Sequence, residues 1–377
     1  MQYYIFAFFI YYLAITKTIK NKTPTNKLLF ISSLLPIFFI AVFRGDVGTD
    51  TNAYLQIISS IQKDEPTNLE FGFVLLVKLL LTLELPPRFI LATITTLSTG
   101  LAIYAASFSK RSMLLTALCI VPIFYMDMTM NGLRYGLAFT CAMCATGLFY
   151  RGKLHFCMIF AICSVAFHLS GWLIFMLMAF LSDDKVEFKK WLIITAGSGA
   201  LLLAMNTGVL NYTSELSNTG VDLQGKIYVY SNSPSPSLFS GLAPLVISLI
   251  SLALISRVDC AQRTARARRL YILITGILLS FLISKFSYAG LRLQFVLLFV
   301  ILLCLQFKPA FWPMEQVRIN KKILLTLALI GALGVAAFIK NIWISEGVGP
   351  SPWLPYSINP EIMDALDMLT SPEIRAS

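Results

Sequence analysis

The sequence predicts an all-α integral membrane protein, a polytopic bundle of about 11–12 spans, each needing roughly 20 apolar residues to cross a bilayer. Three observations predict it. Of 377 residues, 57% are hydrophobic and 13% charged, against the roughly 25% charge of a soluble domain. Mean hydropathy is +0.75. The apolar residues come in long runs, and Lys and Arg gather in the links between them.

The first run, 2–16, is followed by Lys17, Lys20, Lys22 and Lys27 with no acidic residue, which predicts a cytoplasmic link and an outside N-terminus. Without a basic leader or a small-residue cleavage site, that run reads as an anchor. The next runs fall at 28–43, 88–108, 112–127, 131–150, 154–181, 191–205, 239–256, 270–284, 291–307 and 323–340. The apolar stretch 71–83 is too short to span and is expected to re-enter or lie in the interface. The stretch 154–181 is too long for one span, and a break near His168 would return it to its starting side. With both irregularities, the predicted inside carries 20 Lys and Arg against 5 Asp and Glu, and the outside 10 against 14. Simple crossings at both places would put Lys110, Arg111, Arg151 and Lys153 outside. Residues 1–340 are thus expected to be one transmembrane unit with outside loops 44–70 and 206–238, followed by an outside tail, 341–377.

The net charge of +11 is therefore a topology signal facing anionic lipid, and a nucleic-acid partner is excluded. The most basic run, 257–269, is a link between spans. None of the seven cysteines falls in a predicted outside loop, so no disulfide framework is implied. Cys141 and Cys144 have redox-pair spacing but sit in a predicted span with no second ligand pair, and read as packing residues.

Polar groups in or beside spans carry the functional signal, because a charge at the bilayer centre costs roughly 2.5–3.5 kcal/mol unless it is paired or faces a wet cavity. Four places stand out, all at predicted outside ends. The segment 43–55 bunches Arg44, Asp46, Asp50 and Tyr54 around Gly45 and Gly48. In 130–139, Asn131 and Arg134 share a helix face, and Gly132 and Gly136 permit close helix approach. At 166–172, His168, Ser170 and Gly171 coincide with the expected break. The turn 285–295 carries Lys285, Tyr288 and Arg292. Each cation has a plainer reading as a snorkelling interfacial residue, and a lone His as a hydrogen-bonded core residue. Their convergence on one side suits a ligand with several negative charges on a lipid, a diphosphate above all, since guanidinium forks bind phosphate oxygens bidentately.

At these residues the sequence resembles the EpsG/Wzy-type family of bacterial polysaccharide polymerases, makers of O-antigen and exopolysaccharide. The resemblance rests on R-G-D-x-G-T-D-x-x-x-Y at 44–54, Glu70 to Phe73, N-G-L-R-x-x-L-A at 131–138 and H-L-S at 168–170, and covers most of 30–180. It implies a glycosyltransferase of the inner membrane that joins undecaprenyl-diphosphate-linked oligosaccharide repeat units on the periplasmic face. No cofactor is implied. The lipid bilayer, a chain-length regulator and a flippase of the same pathway are the implied partners.

In that chemistry Arg44, Arg134 and Arg292 would clamp the diphosphate, with Asn131, Tyr54, Glu70 and Ser170 completing the substrate site. His168 would be general base or orienting residue. Asp46 and Asp50 would orient sugar hydroxyls, pair the arginines or supply the base instead. The loop 206–238, with Tyr212, Tyr228 and Tyr230, has the composition of a glycan-contacting lid and equally of a solvated loop. Two other functions fit the same composition: a polyprenyl-monophosphate-dependent glycosyltransferase, and a lipid-linked oligosaccharide flippase or transporter.

Overall fold

A computed structural model describes residues 1–20, 27–65, 67, 69–206, 241–256, 263–308, 321–346, 353–354 and 356–360. The predicted lid with its three tyrosines, most of the tail, and residues 257–262 of the basic link lie outside the described residues. Among the described residues every regular element is helical, and four helices have the length and apolar character to cross a bilayer. The protein is a multi-pass membrane protein built as an all-α bundle.

Helices α1 (Gln2–Lys20) and α2 (Lys27–Val42) pack together and match the first two predicted runs. Two short helices follow, α3 (Thr51–Gln62) and α4 (Phe71–Leu81). The sequence left α3 within a loop because its apolar positions are spaced for one buried face and not for a span. That face, Tyr54, Ile58 and Ile61, packs with Phe73, Val74 and Val77 of α4 and Ile90 and Ile94 of α5 (Pro87–Ala106) as a small second core. Helix α4 also contacts the helix Leu154–Phe167.

Helix α6 (Lys110–Asn131) is interrupted by two π turns, Thr116–Ile120 and Asp127–Asn131. Pro122 has no N–H for the preceding turn, and the first π turn sits directly before it. Helix α7 (Leu133–Tyr150) is buried along almost its whole length, Cys141 and Cys144 included. The long run 154–181 forms α8 (Leu154–Phe167) and α9 (Ser170–Phe180), separated by His168 in an extended conformation. Gly171 lets α9 turn back on α8, since a Cβ there would lie 2.8 Å from the Ser164 carbonyl carbon and oxygen. The predicted break is present.

Helices α10 (Lys185–Asn206), α11 (Leu242–Ser256), α12 (Arg263–Ile283), α13 (Tyr288–Phe307) and α14 (Lys321–Glu346) complete the bundle. Helix α13 lies in the centre, buried from Val296 to Gln306, while α1 and α12 leave Phe6, Phe9, Tyr271 and Leu282 exposed. In a lipid-facing helix those side chains meet acyl chains.

The basic links meet at one end of the bundle. There Lys308, fully buried, reaches Glu187 at 3.2 Å and Asp183 at 3.4 Å. Arg269 pairs with Asp183, and Tyr150 Oη donates to Glu187 at 2.6 Å. Arg111 donates to the Lys308 carbonyl at 3.2 Å, adding the start of α6 to the same end. These contacts require α8 and α9 to leave and return to one side, the arrangement in which the broken helix keeps Arg111 and Arg151 with the other basic links.

Candidate active site

The opposite end holds a cavity of about 580 Å³, of similar polar and apolar character, cut into an otherwise apolar bundle. Its walls come from the loop before α3, the second π turn of α6, the start of α7, the α8–α9 break and the first turns of α13. Of the sequence-predicted residues, Asp50, Tyr54, Asn131, Arg134, His168, Ser170 and Arg292 line it.

The 43–50 loop reaches the cavity through Gly48, whose φ of +106° is a left-handed value most side chains resist. A Cβ at Gly48 would also lie 3.0 Å from the Met130 carbonyl oxygen. With the loop seated so closely, Thr49 N–H donates to Asn131 Oδ1 at 3.2 Å. That bond fixes the amide's orientation, and Asn131 Nδ2 then donates to Asp127 Oδ1 at 2.9 Å. Asp50 stands beside this group, where burial raises its carboxyl above the usual aspartate range. A hydrogen bond with Thr49, and then Arg292 and Arg134, pull it back down.

Arg134 is aimed by its neighbours. Its guanidinium pairs with Glu70, which is fully buried, and its backbone N–H lies 3.5 Å from Tyr54 Oη. Its buried Nε–H has no hydrogen-bond partner among the described residues. A cavity-lining guanidinium with one fork committed to a carboxylate and a donor left over is suited to an anionic ligand. Glu70 itself stands behind Arg134 and does not line the cavity.

His168 is placed differently from a general base. Its Nδ1 accepts the Ser170 backbone N–H at 3.1 Å, and its Nε2 lies 3.9 Å from Glu70 Oε1. With the Nδ1 lone pair committed, the neutral ring carries its proton on Nε2 and faces Glu70 as a donor. The backbone of Ser170, rather than its hydroxyl, orients the ring.

Besides Glu70, two predicted site residues are elsewhere. Arg44 is buried behind the cavity wall, 4% exposed, and donates to Ala41 O at 2.8 Å, Thr129 O at 2.6 Å, Thr51 Oγ1 at 3.2 Å and Thr95 Oγ1 at 3.3 Å. Uncapped carbonyls at helix ends take a cation in preference to an exposed cavity. Arg44 also pairs through its backbone with Ile358, so that a piece of the tail clasps the loop. Asp46 is on the exposed rim in an ion pair with Arg88 at 2.7 Å, drawn there by a cation the sequence reading passed over.

Asp127, Tyr135 and Asn341 line the cavity and were missed. Asp127 had a visible signal, a carboxylate within a predicted span four residues before Asn131. Asn341 had none, because it lies beyond the predicted end of the last run.

A model described as the EpsG family matches residues 27–358. No curated protein and no solved structure matches the chain. The matched residues begin at the start of α2, take in every motif lining the cavity, and end at the residue paired with Arg44. The chain belongs to the EpsG family.

Proposed function

We propose that this protein is a polysaccharide polymerase that transfers a growing glycan from its lipid diphosphate to the next undecaprenyl-diphosphate-linked repeat unit, with the cavity opening to the periplasm. One observation carries the reading: Arg134 and Arg292 come from helices far apart in sequence and line the same cavity as Asp50, at the end of the bundle opposite the basic links. Family membership supports the reaction class.

The transfer breaks the bond between an anomeric carbon and a phosphate oxygen, and the departing diphosphate takes the electron pair. Guanidiniums fixed before the reaction stabilise that charge without reorganisation. Arg134, aimed by Glu70, and Arg292 are assigned to this role. Asp50 balances their charge when the cavity is empty and orients sugar hydroxyls when it is full. His168 Nε2 faces Glu70 Oε1 at 3.9 Å, and His168 is assigned as an orienting residue beside the Glu70–Arg134 pair. The apolar floor, Phe139, Leu291, Phe295 and Val296, excludes water that would otherwise hydrolyse the donor.

Deletion of the gene tests the reading. The expected result is loss of long surface polysaccharide and accumulation of a single lipid-linked repeat. In vitro, the purified protein should release undecaprenyl diphosphate as chains lengthen; release of a monophosphate would assign the chemistry to the monophosphate-dependent class.

A further inference from the structure

Two carboxylates line the cavity, and their surroundings separate them. Asp50 lies under the influence of Arg292 and Arg134, the groups assigned to the diphosphate. Among the described residues, Asp127 makes no ion pair with a cation, and its side chain's hydrogen-bond partner is Asn131. The π turn brings this about. Gly132 N–H bonds Asp127 O at 2.7 Å, a five-residue step that widens the helix end, and Asp127 and Asn131 both line the cavity. Asn131 is itself fixed by Thr49 N–H, so its amide nitrogen, and no other part of it, meets Asp127 Oδ1. One oxygen of Asp127 is thereby anchored while the other remains for a ligand. The hydroxyl of neighbouring Thr129 is committed elsewhere, donating to Tyr125 O at 2.6 Å.

A general base has to be within reach of the hydroxyl it deprotonates, held in one orientation, and not neutralised by a cation. Asp127 lines the cavity, is held by Asn131 and makes no ion pair among the described residues, whereas the Nδ1 lone pair of His168 is committed to Ser170 N–H and Asp50 is matched to the arginines. Resting on the polymerase reading above, we propose that Asp127 takes the proton of the acceptor sugar's hydroxyl, and that Asn131 is the positioning residue that holds its carboxylate. In the step, the acceptor oxygen forms its bond to the donor's anomeric carbon, the carbon–phosphate-oxygen bond breaks toward the diphosphate, and the hydroxyl proton passes to Asp127.

The test uses the full-length protein in liposomes, with the lipid-linked repeat unit extracted from cells lacking the gene, and undecaprenyl diphosphate as a binding probe. Asp127→Asn keeps an acceptor for Asn131 and should fold. The expected result is joining slowed by about 10²–10⁴-fold with undecaprenyl diphosphate bound as by the unaltered protein. Added formate, which can occupy the space vacated in Asp127→Ala, should restore part of that variant's rate. Joining by Asp127→Asn within tenfold of the unaltered protein overturns the proposal, as does loss of probe binding together with joining, which would make Asp127 structural. Failure of formate to restore Asp127→Ala overturns the proton-acceptor role. If the unaltered protein binds the probe but joins no units, the polymerase reading fails first and takes this assignment with it.

Discussion

Arg44 and Arg134 have the same side chain and different surroundings, and what each guanidinium meets sets a different expectation for its loss. Arg44 commits Nε and Nη1 to backbone carbonyls and threonine hydroxyls of α2, α3, α5 and α6. Hydrogen bonds from a charged group contribute about 1.5–3 kcal/mol each, so Arg44→Ala is expected to lose at least about 3 kcal/mol of stability. Thermal unfolding in detergent should show that loss for Arg44→Ala and leave Arg134→Lys near the original midpoint. Arg134→Lys should instead slow joining by roughly 10²–10³, since Lys offers a point charge where a fork was aimed by Glu70. Equal stability of Arg44→Ala and the unaltered protein would return Arg44 to the ligand. Asp50 gives a pH test. Its carboxyl is raised by burial, so the folded state holds its proton to higher pH than the unfolded chain, and stability falls as pH rises from the ordinary aspartate range through the folded value. Asp50→Asn should therefore be more heat-stable than the original at pH 7, with the two converging near pH 3. A variant less stable at pH 7 would mean that the arginine attraction outweighs burial.

At the scale of the element, the site depends on two departures from the regular α-helix. The π turn at Asp127–Asn131 turns a helix end toward the cavity, and the extended residue His168 lets a run of apolar residues enter and leave on one side. The return is tight at Gly171, where an added Cβ would meet the Ser164 backbone as well as its hydroxyl, 2.3 Å away. Gly171→Ala should cost about 1–3 kcal/mol through overpacking. Adding Ser164→Ala should recover little, because the backbone carbonyl stays in place and Ser164 Oγ also gives up its bond to Ala138 O, 2.7 Å long. A fully stable Gly171→Ala, measured by the same unfolding assay, would show that α9 can swing away from α8 at no cost.

Across the whole molecule, charge is divided between the two ends. One end collects Lys308, Arg269, Asp183 and Glu187 in a buried network, and the other collects the cavity residues. Basic links favour the cytoplasmic side, and the proposed periplasmic cavity requires them to be there. Single cysteines placed at exposed Asp64 and at exposed Lys153 should therefore label from opposite faces, with a membrane-impermeant thiol reagent reaching Asp64→Cys in intact spheroplasts and Lys153→Cys after lysis alone. Labelling of both from outside would separate the basic links from the cytoplasm and place the cavity on the wrong face for a periplasmic polymerase.

Composition and run length determined the membrane class, and the sum of basic residues link by link determined which ends belong together. Both are properties a chain carries before it folds, because bilayer thickness and charge asymmetry act on segments one at a time. The break at His168 was legible for the same reason: 154–181 is longer than one span needs and carries Ser170 and Gly171 at its middle. The motif residues Asp50, Asn131, Arg134, His168 and Arg292 were legible as polar groups out of place. Tertiary structure alone decided their partners. The lone pair of His168 is taken by an N–H two residues away, Arg44 is claimed by the carbonyls of Ala41 and Thr129, Asp46 by Arg88, and Asn341 enters the cavity from α14. A sequence shows which groups are expensive to bury; which partner satisfies each is settled by distances across the bundle, and those exist once the helices have packed.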